Sequence, residues 1–389
     1  MAAALVAGCA LGPAYERPAA ELPAGWTGAP AQGAKAPAER WWTLYGDPAL
    51  DKLVEEALAA NQDLALAAAR VDEARALARV ADSQLWPAVD ATFQRDRARN
   101  SERSPFPLPP SAIERNSYRG QIDVSYEVDL WGRLQSATQA ARAELLATEA
   151  ARETVRITLA TEVVRAYFAL VAFDAQVEST RRSLALRSDG LALQRVRHTA
   201  GLINDFTLRQ LEAEVEAARA QLPALEASRT AQELALAVLL GRSPRVIMEG
   251  AVARRGEQGE PAALVVPEGL PSDLLLRRPD VAQAEQGLIA ANARISEARA
   301  ALFPRIGLSG YYGSESIALG DLFSTPARIW SLAFALAQPI FQGGRLFAEV
   351  EAVKARERQA VAQYQKTLQQ AFSEVRRALN TQAKAREAY

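Results

Sequence analysis

One pair of short segments alternates apolar and polar residues and stands out from a chain that is mostly patterned as helix. Between residues 118 and 129 the apolar members of the alternation are Ile122, Val124, Tyr126 and Val128. Residues 89–94 alternate in the same way, with Val89, Ala91 and Phe93 as the apolar members. A period of two predicts strands with one apolar and one polar face, so we predict a β-hairpin over about 87–129. The sequence repeat described below predicts a second hairpin over about 304–339.

Apolar residues recur at helical spacing over most of the remaining chain. A helix pair over residues 47–85 begins at Asp47-Pro48, an N-cap followed by proline in the first turn. From Leu134 to about His198 no proline breaks the pattern, which predicts one helix of roughly 65 residues, or about 95 Å. Segments such as residues 208–215 are typical of coiled-coil seams, so a solvated coiled-coil rod is an alternative for the helices alone.

A turn separates this long helix from a second helix that runs to about residue 240. Gly201 can adopt positive φ, and Asn204 or Asp205 can cap the helix that follows. Pro223 lies inside the second helix and predicts a kink. The sequence therefore predicts a long helical hairpin over about 134–240.

The order helix, strand pair, long helix occurs twice. Leu302-Phe-Pro304 repeats Leu85-Trp-Pro87, and the Gly-Arg pair ending at Arg345 repeats the one ending at Arg133. The period of about 215 residues is too long for an ordinary solenoid. We assign residues 47–248 to a first repeat, 249–270 to a linker, and 271–389 to a second repeat whose long helix begins near residue 345.

Composition argues against an enzyme. The 389 residues include one cysteine and one histidine, which excludes a disulfide framework, a multi-cysteine metal site and a histidine cluster. Phosphate-binding glycine motifs and a G-x-S-x-G nucleophile elbow are absent. The formal net charge of -1 gives no basic surplus for nucleic acid. We predict no catalysis, no cofactor, no metal and no nucleic-acid partner.

The single cysteine, Cys9, follows Leu5-Val-Ala-Gly8. Small apolar residues before a cysteine are typical of a bacterial lipobox, in which the cysteine becomes the acylated N-terminus. A buried cysteine and a stray thiol are the alternatives. Only eight residues precede Cys9, and a secretory signal needs a basic start and a longer apolar stretch. We interpret residues 1–8 as a partial signal peptide and 9–46 as a lipidated, extended N-terminal segment.

The amphipathic strands favour a membrane location. Each predicted strand has about 10–12 residues, the length that a tilted strand needs to cross a bilayer. Apolar side chains would then face lipid and polar side chains water. Because an open sheet edge cannot lie in lipid, four strands per chain imply an oligomer, with eight strands from two copies or twelve from three. A soluble four-stranded sheet is the alternative.

Several motifs, in order along nearly the whole chain, resemble the outer membrane factor family of tripartite efflux pumps, the TolC/NodT-like outer membrane lipoproteins. Besides Cys9, they are GPAYERP (residues 12–18), WWxxYxDPxL (41–50), EVDLWGR (127–133), LLGRSP (239–244), LLLRRPDV (274–281), ALFP (301–304) and PIFQGGR (339–345).

The resemblance implies an α+β membrane protein that acts as a homotrimer. Two transmembrane β-hairpins per chain would form one twelve-stranded barrel in the outer membrane, and the tandem-duplicated helices an α-barrel through the periplasm. It also implies a passive exit duct for drugs and other small molecules, docked on a periplasmic adaptor and an inner-membrane pump of the RND type. Acyl chains on Cys9 would anchor the chain to outer-membrane lipid.

One motif implies where the adaptor binds. Arg197-His198-x-x-Gly201 matches the family's Arg-Tyr-x-x-Gly at the periplasmic helix–turn–helix tip, with histidine in place of tyrosine. The resemblance makes contact candidates of Arg197, His198, Gly201, Asn204 and Asp205. A plain helix C-cap is the alternative for Gly201, and a solvated surface side chain is the alternative for His198.

By the repeat spacing, the second helix turn would lie beyond Tyr389. We therefore expect the final returning helix to be missing, and the chain as given, truncated at both ends, not to form a gated, pump-competent trimer. A type I protein-secretion exit duct, and a structural periplasmic coiled-coil lipoprotein or adaptor, are the alternative functions.

Overall fold

The computed structural model describes residues 12–19, 40–103, 109–110, 113–249, 252–254 and 272–388. Its α-helices are α1 (Pro48–Ala60), α2 (Gln62–Ser83), α3 (Arg133–Thr199), α4 (Asp205–Leu239), α5 (Pro244–Glu249), α6 (Pro279–Ala300) and α7 (Arg345–Ala388). Its strands are β1 (Ala88–Arg99), β2 (Glu114–Val128), β3 (Arg305–Ser316) and β4 (Arg328–Ala337).

The strands form one antiparallel sheet in the order β1-β2-β3-β4. The strand predictions are confirmed, but β2 begins at Glu114 rather than near residue 118. Residues 114–117 are polar on both faces and therefore carry no period-two signal. They are strand because their backbone pairs with Asp96–Arg99 of β1.

The long helical hairpin is confirmed within a few residues of its predicted bounds. α3 is one continuous helix of 67 residues. Pro223 lies inside α4 and does not end it. Helix, strand pair and long helix follow one another twice, as α2-β1-β2-α3 and α6-β3-β4-α7.

The described residues fall into two compact units. One draws on residues 1–22, 71–150 and 275–389, and the other on residues 23–70 and 151–274. The assignment of sequence repeats as domains stays a prediction. Across the parts of the chain that the structure describes, no helix combines the length and apolar character needed to span a bilayer.

In the unit of residues 23–70 and 151–274, a core joins α1, α3 and α4. Its fully buried members include Leu50, Val54, Val163, Tyr167, Leu170, Leu236 and Leu240. Asp47 caps α1 from within this core, because its Oδ1 accepts hydrogen bonds from the backbone N–H groups of Ala49 (2.9 Å) and Leu50 (3.3 Å). Its other oxygen, Oδ2, accepts the Tyr167 hydroxyl at 2.6 Å.

The same unit brings the ends of α1 and α4 together. The side-chain amide of Asn61 donates to the Leu239 carbonyl at 2.9 Å. Gly241 has a φ of +69°, and a Cβ at this position would lie 2.2 Å from the carbonyl oxygen of Ala60. The LLGRSP motif therefore ends a helix at a point where only glycine fits.

In the other unit, α6 packs along α7. Val281, Leu288 and Ile295 are buried at intervals of one heptad, which is the spacing of a coiled-coil seam. Tyr364 and Ala371 are buried on α7 at the same interval.

The LLLRRPDV motif fixes the start of α6. Arg278 binds Asp280 through two hydrogen bonds of 3.0 and 2.8 Å and reaches Glu374 of α7 at 2.7 Å. Burial acts to raise the pKa of Asp280, but the bonds from Arg278 outweigh it and hold this pKa below its ordinary value.

Candidate functional site

One face of the sheet is apolar across all four strands. Directly paired residues share a face, and the register places the following in cross-strand rows: Ala91, Ile122, Tyr312 and Trp330; Val89, Val124, Gly310 and Leu332; Tyr126, Leu308 and Phe334; Val128, Ile306 and Leu336. Phe93 continues the face along β1. All seven strand residues singled out from the sequence therefore lie on this face.

This apolar face is exposed in the single chain. Trp330, Leu332 and Phe334 have 75%, 81% and 66% of their surface accessible. Soluble monomers rarely expose a contiguous apolar patch of this extent. The face therefore requires an apolar environment outside the chain.

On β1, β2 and part of β3 the opposite face carries polar, hydrogen-bonded side chains, whereas on β4 it carries mainly alanine. Asp123 accepts bonds from Thr92 (2.9 Å) and Gln121 (2.6 Å), and Gln121 in turn accepts from Arg119 at 2.7 Å. The Arg119 guanidinium also lies 4.9 Å from the ring centroid of Tyr311. This face is suited to water, and the alternation read from the sequence predicted it.

The sheet has two open edges. Among the described strands, β1 pairs only with β2, and β4 only with β3. Each outer strand therefore presents unpaired backbone N–H and C=O groups. A sheet with these edges and an exposed apolar face is incomplete as a single chain.

The turn between α3 and α4 is a Schellman motif. Gly201 has a φ of +75° and donates its N–H to the His198 carbonyl at 2.8 Å, and Leu202 donates to the Arg197 carbonyl at 2.9 Å. These are the two bonds that define the motif, with glycine in the left-handed position. The C-cap alternative for Gly201 is thereby confirmed, and its contact with an adaptor stays a prediction.

The remaining candidates at this turn interact with one another. Asn204 caps α4 by accepting the Thr207 N–H at 2.9 Å. His198 Nε2 and Asp205 Oδ1 lie 2.6 Å apart at the surface of the chain, and contact of His198 with an adaptor stays a prediction. Arg197 is exposed. The structure thus brings all five candidates into one hydrogen-bonded turn, Arg197 through its backbone carbonyl and with an exposed side chain.

An ion-pair cluster joins α3 to α4 next to the turn. Glu212 accepts a bond of 2.9 Å from Arg195 of α3 and another of 2.9 Å from Arg209 of α4. The bond from Arg195, supported by Arg209, holds the pKa of Glu212 below its ordinary value against a smaller effect of desolvation.

The sequence reading of this turn missed two exposed apolar residues. Leu202 and Phe206 are 73% and 76% exposed. For Leu202, its place directly after Gly201 was the available signal, because an apolar residue two positions past a C-cap either packs on the helix or stays free for a partner. Phe206 lies in the first turn of α4 and carried no such signal.

The N-terminal segment Gly12–Ala19 lies against α6. The Tyr15 hydroxyl donates to Glu285 at 3.1 Å, and Arg17 Nε donates to the same carboxylate at 2.6 Å. Asn292 donates to the Pro13 carbonyl at 3.1 Å. Burial, followed by the charge of Glu285, raises the pKa of Tyr15 to about 12. Cys9 itself lies outside the described residues, so its acylation stays a prediction.

Within the described ranges, no group of three His, Cys, Asp or Glu side chains could hold a metal ion. The surfaces that remain are the amphipathic sheet, the helix turn and the docked N-terminal segment.

Comparison with known proteins gives a consistent result. A family model described as "Outer membrane efflux protein" matches residues 53–242 and 270–389. The solvent efflux pump outer membrane protein SrpC of Pseudomonas putida is 36% identical over 382 residues, covering 95% of this chain and 79% of that protein. The outer membrane protein OprJ of Pseudomonas aeruginosa is 36% identical over 378 residues, covering 95% and 77%.

Solved structures agree with these relatives. A membrane protein from Pseudomonas aeruginosa superposes with a TM-score of 0.87 at 33% identity, covering 98% of this chain and 85% of that one. The Campylobacter jejuni CmeC outer membrane channel gives a TM-score of 0.89 at 25% identity, covering 95% and 79%.

Proposed function

We propose, given that this chain belongs to the outer membrane efflux protein family, that its copies assemble into the passive exit duct of a tripartite efflux pump. The chain is the outer-membrane channel component of such an efflux system. The observation that carries the finer proposal is the four-stranded sheet, which has an apolar face, a polar face and two open edges.

We infer that three copies close this sheet into a barrel. The edge strand β4 of one copy would pair with β1 of the next, so that every unpaired backbone group is satisfied and the apolar faces together meet lipid. Twelve strands would enclose a lumen lined by the polar face, as in other outer-membrane barrels.

The duct itself supplies no energy. It offers a water-filled path, and an inner-membrane pump of the RND type drives transport through a periplasmic adaptor. The adaptor would dock on the turn between α3 and α4, where Leu202 and Phe206 offer exposed apolar contacts beside Arg197. Small organic molecules are the cargo that the names of the relatives suggest, and a channel of this kind needs no catalytic residue.

We also propose that acyl chains on Cys9 anchor the chain. The segment from Gly12 docks on α6 through Tyr15, Arg17 and Asn292, so the anchor would be tied to the folded chain through a short link. Cys9→Ser should abolish acylation and leave membrane-inserted oligomer, because the sheet would hold the protein in the bilayer by itself.

A direct test expresses the chain behind an export signal and separates outer-membrane from soluble periplasmic fractions. The expected result is a heat-modifiable oligomer in the outer membrane, and stepwise ion conductance after its transfer to planar bilayers. Recovery in the soluble periplasm would contradict the duct. Co-expression with an adaptor and a pump, in a strain that lacks its own duct, tests the expectation that the chain as given is not pump-competent. Restored solvent tolerance would contradict that expectation.

A further inference from the structure

The apolar face of the sheet ends in a stripe of arginines. Past Phe93, the same face of β1 carries Arg95, Arg97 and Arg99, because side chains two residues apart on a strand share a face. We refer to these three residues as the arginine stripe. All three are exposed in the single chain, and they continue the apolar face of β1 toward the end of the strand.

Aromatic side chains lie between the apolar rows and the arginine stripe. Tyr118 of β2 pairs with Arg95, whose guanidinium lies 5.7 Å from the centroid of the Tyr118 ring. Tyr312 and Trp330 occupy the last apolar row below this level. Apolar, then aromatic, then basic is the order in which side chains meet the hydrocarbon, the interface and the headgroups of a bilayer.

The charge of this surface remains positive after its internal pairs are included. Glu114 lies opposite Arg99, with its carboxylate 3.7 Å from Arg99 and 3.8 Å from Arg97, and Glu102 is 3.1 Å from Arg99. These pairs are solvent-exposed and contribute little. Arg328 adds a further cation, because it pairs with Ser314 on the same face of the sheet.

The arginine stripe lies at the end of the sheet that carries the loops. β1 joins β2, and β3 joins β4, at this end, and the opposite ends of the strands lead to α2, α3, α6 and α7. In the proposed duct the helices are periplasmic, so the stripe faces the outer leaflet of the outer membrane.

We propose that the arginine stripe binds the anionic phosphate groups of lipid headgroups in the outer leaflet. The inference rests on the proposed function, since it needs the apolar face to lie in lipid. Guanidinium groups bind phosphate oxygens through paired hydrogen bonds, and clusters of basic residues at a membrane surface attract anionic headgroups. Phosphate oxygens would replace the carboxylates of Glu114 and Glu102 as acceptors for the guanidinium groups, because these exposed ion pairs are weak.

The test titrates the detergent-solubilised full chain with bisphosphorylated lipid A and counts bound lipid by native mass spectrometry. The same titration is run with dephosphorylated lipid A and with inorganic phosphate. Lipid A should bind about tenfold or more tightly than its dephosphorylated form, and added salt should narrow the difference. Equal binding of the two lipids would overturn the proposal. Displacement of lipid A by millimolar inorganic phosphate would also overturn it, by identifying a free-anion site.

Matched variants assign the effect to the stripe. The triple change Arg95→Gln, Arg97→Gln and Arg99→Gln should lose the preference for phosphorylated lipid, and the corresponding triple lysine variant should keep most of it because its charge is unchanged. Arg115→Gln, on the opposite face of β2, should bind like the parent. A triple glutamine variant that kept the full preference for phosphorylated over dephosphorylated lipid A would contradict the proposal.

Channel activity separates failure of this inference from failure of the proposed function. The parent and the triple glutamine variant should both conduct in planar bilayers, because the stripe lies outside the lumen. A parent that never conducts contradicts the duct itself. A conducting pair with identical lipid preference contradicts the arginine stripe alone.

Discussion

At the scale of single residues, Asp47 has two structural roles. It caps α1 and accepts the Tyr167 hydroxyl inside the core. Asp47→Ala should lower the free energy of unfolding by about 2–4 kcal/mol, the sum of a lost cap and a lost buried hydrogen bond from the Tyr167 hydroxyl. Urea unfolding in detergent measures this. Tyr167→Phe keeps the cap and should cost less, so equal losses from the two variants would contradict the double role.

Gly241 allows a second prediction at this scale. Gly241→Ala should destabilise the chain by two separate effects, because alanine disfavours a φ of +69° and its Cβ would meet the Ala60 carbonyl at 2.2 Å. Gly46 is the matched control, with a φ of +64° and no atom within 4 Å of an added Cβ. Gly46→Ala should therefore cost only the backbone strain, about 1–2 kcal/mol. Thermal unfolding that ranked the two variants equally would show that the α4 end can shift away from α1.

At the scale of elements, the hairpin of α3 and α4 should respond to acid through Glu212. Its pKa is lowered in the folded chain, so the stability that it contributes is present above the ordinary glutamate value and is lost as the pH falls through the folded value. The protection factors of amides around the turn, which correct for the slower intrinsic exchange in acid, should therefore fall as the pH drops below the ordinary glutamate pKa.

Two variants isolate the contribution of Glu212 to this response. Glu212→Gln should flatten the pH response, because the glutamine cannot titrate. Glu216→Gln should leave it intact, since Glu216 pairs with Arg219 within α4 alone. An unchanged response in Glu212→Gln would assign the acid sensitivity to another group.

Sequence patterns predicted some features of these elements and missed others. Period-two alternation located the strands of the first pair and identified their apolar face, because side chains on a strand must alternate. It failed at residues 114–117, where both faces are polar and only the backbone pairing defines the strand. The cap at Asn204 was readable locally. The bond between Asp47 and Tyr167, 120 residues apart, could not be read from any local pattern.

At the scale of the whole molecule, the sheet makes the single chain incomplete. Among the residues that the structure describes, none covers the apolar face and none pairs with the outer edges of β1 and β4. Lipid would cover the apolar face, and neighbouring copies would pair with the edge strands. Membrane insertion and oligomer assembly should therefore depend on one another. The number of strands per chain was sufficient to predict an oligomer from the sequence. The position of the arginines beside the apolar face could not be predicted, because it depends on the register between the strands.

The coupling predicts opposite outcomes for the same substitution on the two faces of β4. Leu332→Arg places a charge in the middle of the apolar face and should cost about 2–4 kcal/mol per chain. Ser331→Arg, one residue away on the polar face, would enter water and should be tolerated. The measurement is the fraction of protein recovered as heat-resistant oligomer from the outer membrane. Equal recovery of the two variants would mean that the apolar face does not meet lipid. Loss confined to Leu332→Arg, with the monomer accumulating in the periplasm, would show that oligomer formation requires insertion of this face.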